Sequence, residues 1–333
     1  MSTAVDTLDS RTNRSTGRRR ALLVAAVVVL SAAVLVAVVP AGPVAIVQAI
    51  ADGVRVGLIL ALVGIGLSLV FATTGVFNFA HGELATLGAL TTWALNAAGV
   101  PLVLAMALVI PVGIAAGYVG EKAVWRPLRR RGVSLPGMLV VGIGLGLALR
   151  SSFLFAIGGG ARTYREGSVQ APMDVFGVSI QPKQIAAVAV VLLVLAALAL
   201  FLRFAPLGQA IRAVSDDREL AAATGVAVDR VLAAVWMIGG ALATLGGALM
   251  GLFEQVSWQM GNQVLLLVIA GVTLGGLGSV AGAAVGGVIV GVVTQLSVLV
   301  LPAELKYVTA LVLLILILLI RPSGLFGRRQ RIG

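Results

Sequence analysis

From Ala21 onward the chain repeats one pattern: roughly twenty apolar residues, a short polar or basic break, then another apolar run. Ala21 to Val39 is almost wholly Ala, Val and Leu, long enough at about 1.5 Å per residue to cross a hydrocarbon layer of roughly 30 Å. Pro40 and Pro43 end it. A cleaved signal sequence is the alternative, but its apolar core runs to only about 7–15 residues, so the length favours a retained span. Further spans are predicted over Val47 to Phe71, a stretch ending near Ala97, Pro101 to Gly120, Gly137 to Ile157, Gln184 to Phe204 and Val231 to Phe253. After them come a short piece, Val264 to Leu274, then Val280 to Leu301 and Leu305 to Ile320. None of these runs shows the period-two alternation of a barrel strand, and only helices or closed barrels satisfy the backbone in lipid. The pattern predicts an all-α membrane protein, a polytopic helical bundle of about ten transmembrane spans with one short or broken span.

Charge sets the topology. The four basic stretches are the tail 1–20, the loop Glu121 to Arg131, the segment Arg203 to Arg230 and the tail after Arg321, and basic loops stay cytoplasmic. Ten crossings place all four on one side, with both termini cytoplasmic; nine would put the last outside. The polar stretch Gly158 to Lys183 then falls outside. Asp52 and Arg55, three residues apart near the outer end of their span, are placed to pair or to snorkel.

Composition narrows the chemistry. The chain is 59% hydrophobic and 11% charged, too apolar to present a polar exterior to water. Its formal charge of +11 sits between apolar runs rather than along one face, which excludes nucleic acid as the natural partner. With no cysteine and one histidine, thiol catalysis, disulfides and a zinc site are excluded. No phosphate loop, nucleophile elbow or His-Glu-x-x-His helix occurs, and His81 with Glu83 lacks the nucleophile or metal set that would make an intramembrane hydrolase. No catalytic residue and no cofactor are assigned to this chain.

Three features remain. Asn78, His81 and Glu83 place polar and ionisable groups at membrane depth, either as part of a path or as a helix start in which Asn78 caps and Glu83 suits the positive end of the dipole. Glycines recur every fourth residue at Gly113/Gly117, Gly247/Gly251, Gly278/Gly282/Gly286 and Gly287/Gly291, which permits close helix packing and, over Gly275 to Gly291, a thin interface beside a path. In the segment Arg203 to Arg230, Ser215 or Asp216 can cap a short amphipathic helix that Gly225 ends, predicting a docking element rather than a bare loop.

At these residues the chain resembles the permease subunits of ABC importers for branched-chain amino acids. The resemblance runs from about Ile46 to Gly327 and rests on Val76 to Glu83, on Glu121-Lys122 with Trp125 to Arg129, on Gly208 to Ala213 with Asp217 to Ala222 and Gly225, on Leu274 to Ser279 with Gly282 and Gly286, and on Arg321 to Gly327. It implies a permease domain 46–327 with a coupling segment 203–230, to which the residues themselves add a disordered basic cytoplasmic tail 1–20, an additional span and linker 21–45, and a basic cytoplasmic tail 328–333. It implies a substrate path lined by Asn78, Phe79, His81, Glu83, Gly275, Gly276, Gly278 and Ser279. It also implies ATPase coupling through Gly208, Arg212, Asp217, Arg218, Glu219, Ala221, Ala222 and Gly225.

The implied setting is a bacterial inner membrane, with a second permease subunit (the same chain or a different one), cytoplasmic ATP-binding subunits that hold ATP and Mg, and an extracytoplasmic substrate-binding protein. The span 21–39 is additional to the simplest members of that family. Relatives with a similar His-Gly-Glu region carry urea or short amides, so these are the alternative substrates, and a stand-alone channel or secondary transporter is the alternative mechanism.

Overall fold

A computed structural model describes residues 42–165, 171–175, 178–321 and 323–326. The tail 1–20 and the apolar run 21–39 lie outside the described residues, as does the end of the chain after 326. Twelve α-helices organise the rest: α1 Pro43–Thr74, α2 His81–Ala97, α3 Leu102–Gly120, α4 Arg126–Arg130, α5 Leu135–Ile157, α6 Pro182–Phe204, α7 Pro206–Asp216, α8 Arg218–Ala223, α9 Val228–Met250, α10 Met260–Gly275, α11 Val280–Ser297 and α12 Lys306–Ile320. A π-helical turn, Glu121–Trp125, joins α3 to α4 without a break. A two-stranded antiparallel hairpin, β1 Met173–Val175 and β2 Val178–Ile180, interrupts the polar stretch between α5 and α6.

Among the described residues seven helical segments are long and apolar enough to cross a membrane. The two other expected crossings are the shorter helices α2 and α10, of 17 and 16 residues. The count of about ten therefore includes two helices too short to cross unaided and one run outside the described residues. The short piece expected at Val264 to Leu274 is four residues longer at its start, because Met260 and Gly261 pack inward against α2 and are buried there.

Glycine is what lets the central helices meet. Gly88 of α2 lies on the Thr244 carbonyl of α9, Gly247 of α9 on the Ala85 carbonyl of α2, and Gly113 of α3 faces Gly240 of α9. Gly53 and Gly57 of α1 lie against Val292, Val288 and Gly291 of α11, while Gly271 and Gly275 of α10 meet Gly286 and Gly282. A Cβ at these positions would overlap backbone, which no side-chain rearrangement relieves. Each contact gains dispersion energy over two helix backbones, the main source of helix association where lipid removes the hydrophobic drive. The fourfold glycine spacing thus builds a dense centre of α1, α2, α3, α9, α10 and α11. By contrast α5, α6 and α12 leave most of their apolar surface outward, including Phe155, Leu193 and Ile315. Those faces are suited to lipid or to another membrane subunit.

Candidate functional site

The chain leaves α1 at Gly75 (φ +69°) and folds back along it, so α2 does not start level with the end of α1. His81, the first residue of α2, is buried, and its Nε2 donates to the Val63 carbonyl at 3.1 Å, fixing the tautomer that carries the proton on Nε2. Val63 lies eleven residues before Thr74, so α2 begins about 16 Å up the wall of α1. The sequence allowed Asn78 to cap this helix, but Ala80 occupies the cap position. Asn78 instead closes the tight turn before it: its Oδ1 accepts from the Ala80 N–H at 3.0 Å and its carbonyl from His81. Glu83 stands in the first turn as expected, and its Oε2 accepts from the Thr86 hydroxyl at 3.1 Å. Thr86 Oγ1 in turn accepts from the Gly261 N–H at 2.9 Å, tying the first turn of α10 to the second turn of α2. Two helix N-termini therefore meet inside the bundle, where unpaired N–H groups favour negative charge.

The second predicted group lies elsewhere. Gly276 (φ +108°) and Gly278 (φ +84°) form the turn between α10 and α11, and Ser279 caps α11 by accepting from Gly282 N at 3.0 Å. Gly278 rests near Ala72 and Phe71 at the end of α1. Between the two groups runs an aromatic ladder, Phe71 to Phe77 at 6.2 Å and Phe77 to Phe79 at 5.3 Å between ring centroids. The chain's last described residues strap this turn: Leu325 N–H donates to the Leu274 carbonyl at 2.8 Å and Phe326 N–H to Gly275 at 2.9 Å, with Gly324 against Gly276. Thus Asn78, Phe79, His81 and Glu83 sit together, and Gly275, Gly276, Gly278 and Ser279 sit together about three turns of α1 away.

At the basic end of the bundle, α7 and α8 form the amphipathic element expected between Arg203 and Arg230. The cap is Asp217 rather than Ser215 or Asp216: its carboxylate accepts from Glu219 N at 3.0 Å and Leu220 N at 2.9 Å. Position 217 is extended (φ −154°), the geometry that lets a side chain reach forward two and three residues. Gly225, at φ +89°, ends the element as its left-handed conformation requires. Gly208, Ile211, Val214 and Ala221 face the bundle, while Arg212, Arg218, Glu219, Leu220 and Ala222 are exposed. Leu220 is 62% exposed on a segment that caps rather than crosses the bundle.

Beside it, Glu121 and Arg129 form a buried bidentate ion pair, Arg126 and Arg130 both reach Asp229 at the start of α9, and Trp125 stacks on Trp236 at 5.2 Å. At the opposite end Asp52 pairs with Arg55 at 3.1 Å, as their spacing predicts, and Arg55 also lies over the Phe253 ring. Tyr164, in the loop after α5, inserts its hydroxyl between the Ala89 and Ala248 carbonyls at 3.2 Å each, and burial pushes its phenol above the ordinary tyrosine value.

Sequence reasoning passed over Arg150 on α5. The available signal was a lone cation inside the run Gly137 to Ile157, where charge is costly and marks function by default. Gly142 and Gly146 of the same face lie at ordinary contact distance from Phe79 and Ala80, 3.4 and 3.5 Å from where a Cβ would stand. Arg150 continues that face one turn further, with its guanidinium 5.8 Å from the Trp258 ring.

Over residues 49–319 the chain matches the family described as branched-chain amino acid transport system, permease component. It is 32% identical over 305 residues to the high-affinity branched-chain amino acid transport system permease protein LivH of Escherichia coli, covering 85% of this chain and 96% of the relative. The permease protein BraD of Pseudomonas aeruginosa is 31% identical over 297 residues, with the same shares. A probable branched-chain amino acid transport permease of Methanocaldococcus jannaschii is 28% identical over 284 residues, covering 81% of this chain and 89% of that one. No solved structure matches.

Proposed function

Because the chain belongs to the family of permease components of branched-chain amino acid transport systems, we propose that it is the membrane-spanning subunit of an ABC importer. It would move branched-chain amino acids inward by alternating access, driven by ATP hydrolysed in another chain. The observation that carries the reading is the match along nearly the full length of transport permeases, together with a bundle whose exposed charged helices lie at one end.

In this reading α7 and α8 dock on the ATP-binding subunits. Gly208 and Ala221 anchor the element to the bundle, and Arg212, Asp217, Arg218, Glu219, Ala222 and Gly225 shape its outward side. The ion pairs from α4 to Asp229 and the Trp125–Trp236 stack are placed to pass a displacement of that element into the bundle. Asn78, Phe79, His81 and Glu83 form the deep part of the path, and Gly275, Gly276, Gly278 and Ser279 its turn at the basic end. ATP and Mg belong to the partner subunits. The exposed faces of α5, α6 and α12 accommodate a second permease subunit, of the same or a different chain, and lipid. A substrate-binding protein feeds the path from the side opposite α7 and α8, and the membrane is a bacterial inner membrane with both termini on the α7 side.

Transport by the complex reconstituted in liposomes, run against leucine, urea and short amides, tests the substrate. Leucine uptake that needs ATP and the binding protein is expected. Uptake of urea or an amide in place of leucine would transfer the assignment to that substrate.

A further inference from the structure

Glu83, in the first turn of α2, and Arg150, on the α5 face that packs against Phe79 and Ala80 just before that turn, are opposite charges brought to one region at membrane depth. Among the described residues no ion pair within 4.0 Å joins Arg150 to Glu83. Each is held from behind. Thr86, whose hydroxyl oxygen accepts from the Gly261 N–H, donates to one carboxylate oxygen of Glu83, and Arg150 stands on a half-buried face of α5 that Gly142 and Gly146 bring against Phe79 and Ala80. Trp258, which Arg150 faces, precedes the start of α10 by two residues and supplies a broad apolar wall. Other opposite charges in this chain close directly, among them Glu121 with Arg129, Asp52 with Arg55 and Glu254 with Lys306. A cation inside a span and a buried carboxylate both carry a large desolvation cost, which a bridging ligand with the opposite pair of charges would relieve.

We propose that Glu83 and Arg150 form a subsite for a zwitterionic α-amino acid, Arg150 taking its carboxylate and Glu83 its ammonium, with the apolar side chain laid against Trp258 and Phe79. The site rests on the amino-acid importer reading and adds to it the two groups that would select for both charges. It lies on the α5 face turned toward the start of α2, while the other faces of α5 stay exposed.

The test is leucine uptake and ATP hydrolysis by the complete reconstituted complex, measured for the wild type and for Glu83→Gln, Arg150→Gln and Arg150→Lys. Losing one charge-assisted contact is expected to lower the leucine moved per ATP hydrolysed on the order of tenfold in either neutral variant. Arg150→Lys, which keeps the charge, is expected to stay within a few-fold of wild type. Wild-type leucine uptake in both neutral variants overturns the subsite, and so does an equal loss in Arg150→Lys and Arg150→Gln, which would make the guanidinium a packing group over Trp258. If the wild-type complex moves urea but no leucine, the importer reading fails on substrate, an outcome separate from any variant's behaviour.

Discussion

Replacing Arg129 by Met isolates the buried ion pair that holds the basic end together. Arg129 and Glu121 are 9% and 2% exposed, and two N–H···O bonds join them, so water is not available to replace either bond. Met keeps most of the side-chain volume and removes the charge, leaving the Glu121 carboxylate buried with its partner gone. Breaking a buried pair in this way costs about 3–5 kcal/mol, two to nearly four decades in the folded-to-unfolded ratio. Replacing both groups, Glu121→Leu with Arg129→Met, removes the stranded charge and is expected to return stability to near the wild type, since apolar substitution of a buried pair is often neutral or favourable. The assay is reversible unfolding of the purified protein by SDS titration, followed by tryptophan fluorescence. Trp125, stacked on Trp236, lies four residues from Glu121 and reports the same region. Wild-type stability in Arg129→Met would refute the reasoning, as would a double variant no better than the single one.

Other expectations follow from single contacts. Gly247→Val places side-chain atoms on the Ala85 carbonyl and is expected to abolish folded protein, while Gly144→Ala, with nothing within 4 Å, changes stability by less than about 0.5 kcal/mol; size-exclusion yield and the same titration compare them. Asp217→Ala removes the cap of α8 and is expected to cost about 1 kcal/mol there, weakening docking of the ATP-binding subunits roughly fivefold, whereas Asp217→Asn retains most of it; copurification at graded subunit concentration reads the difference. Glu219→Arg is expected to weaken the same docking while leaving membrane insertion intact, and unchanged transport would remove Glu219 from the coupling element. Tyr164→Phe is expected to cost about 1 kcal/mol. Because burial raises the folded phenol above its unfolded value near 10, its contribution is complete below about pH 10 and lost as pH rises further, so the gap between Tyr164→Phe and wild type should close only in strong alkali.

The apolar runs foretold the helices because the rule that backbone groups must be satisfied in lipid acts on each segment alone. Asp52–Arg55 and the glycine repeats were legible for the same reason, being spacings along one helix. What sequence left hidden depended on contacts between distant segments. The cap at Asp217 rather than Ser215 follows from where α7 ends, and α7 ends where Ile211 and Val214 stop packing on the bundle. The hairpin Met173–Ile180 carries little strand pattern of its own and is tied to α1 by Gln48, whose amide exchanges two hydrogen bonds with the Ser179 backbone. The role open to Arg150 emerged only once the glycine face of α5 was seen against the start of α2. The Val63 partner of His81, eighteen residues away, gives that histidine a structural bond that no local motif announces.

An importer subunit of the proposed kind moves amino acids only when another chain hydrolyses ATP. The direct measurement is radiolabelled leucine uptake into liposomes holding either this chain alone or the complete complex, with and without internal ATP and the liganded binding protein outside. Uptake against a gradient is expected only in the complete complex with ATP and the binding protein present. Leucine carried down its gradient, or driven by a proton gradient, by the purified chain alone would contradict it.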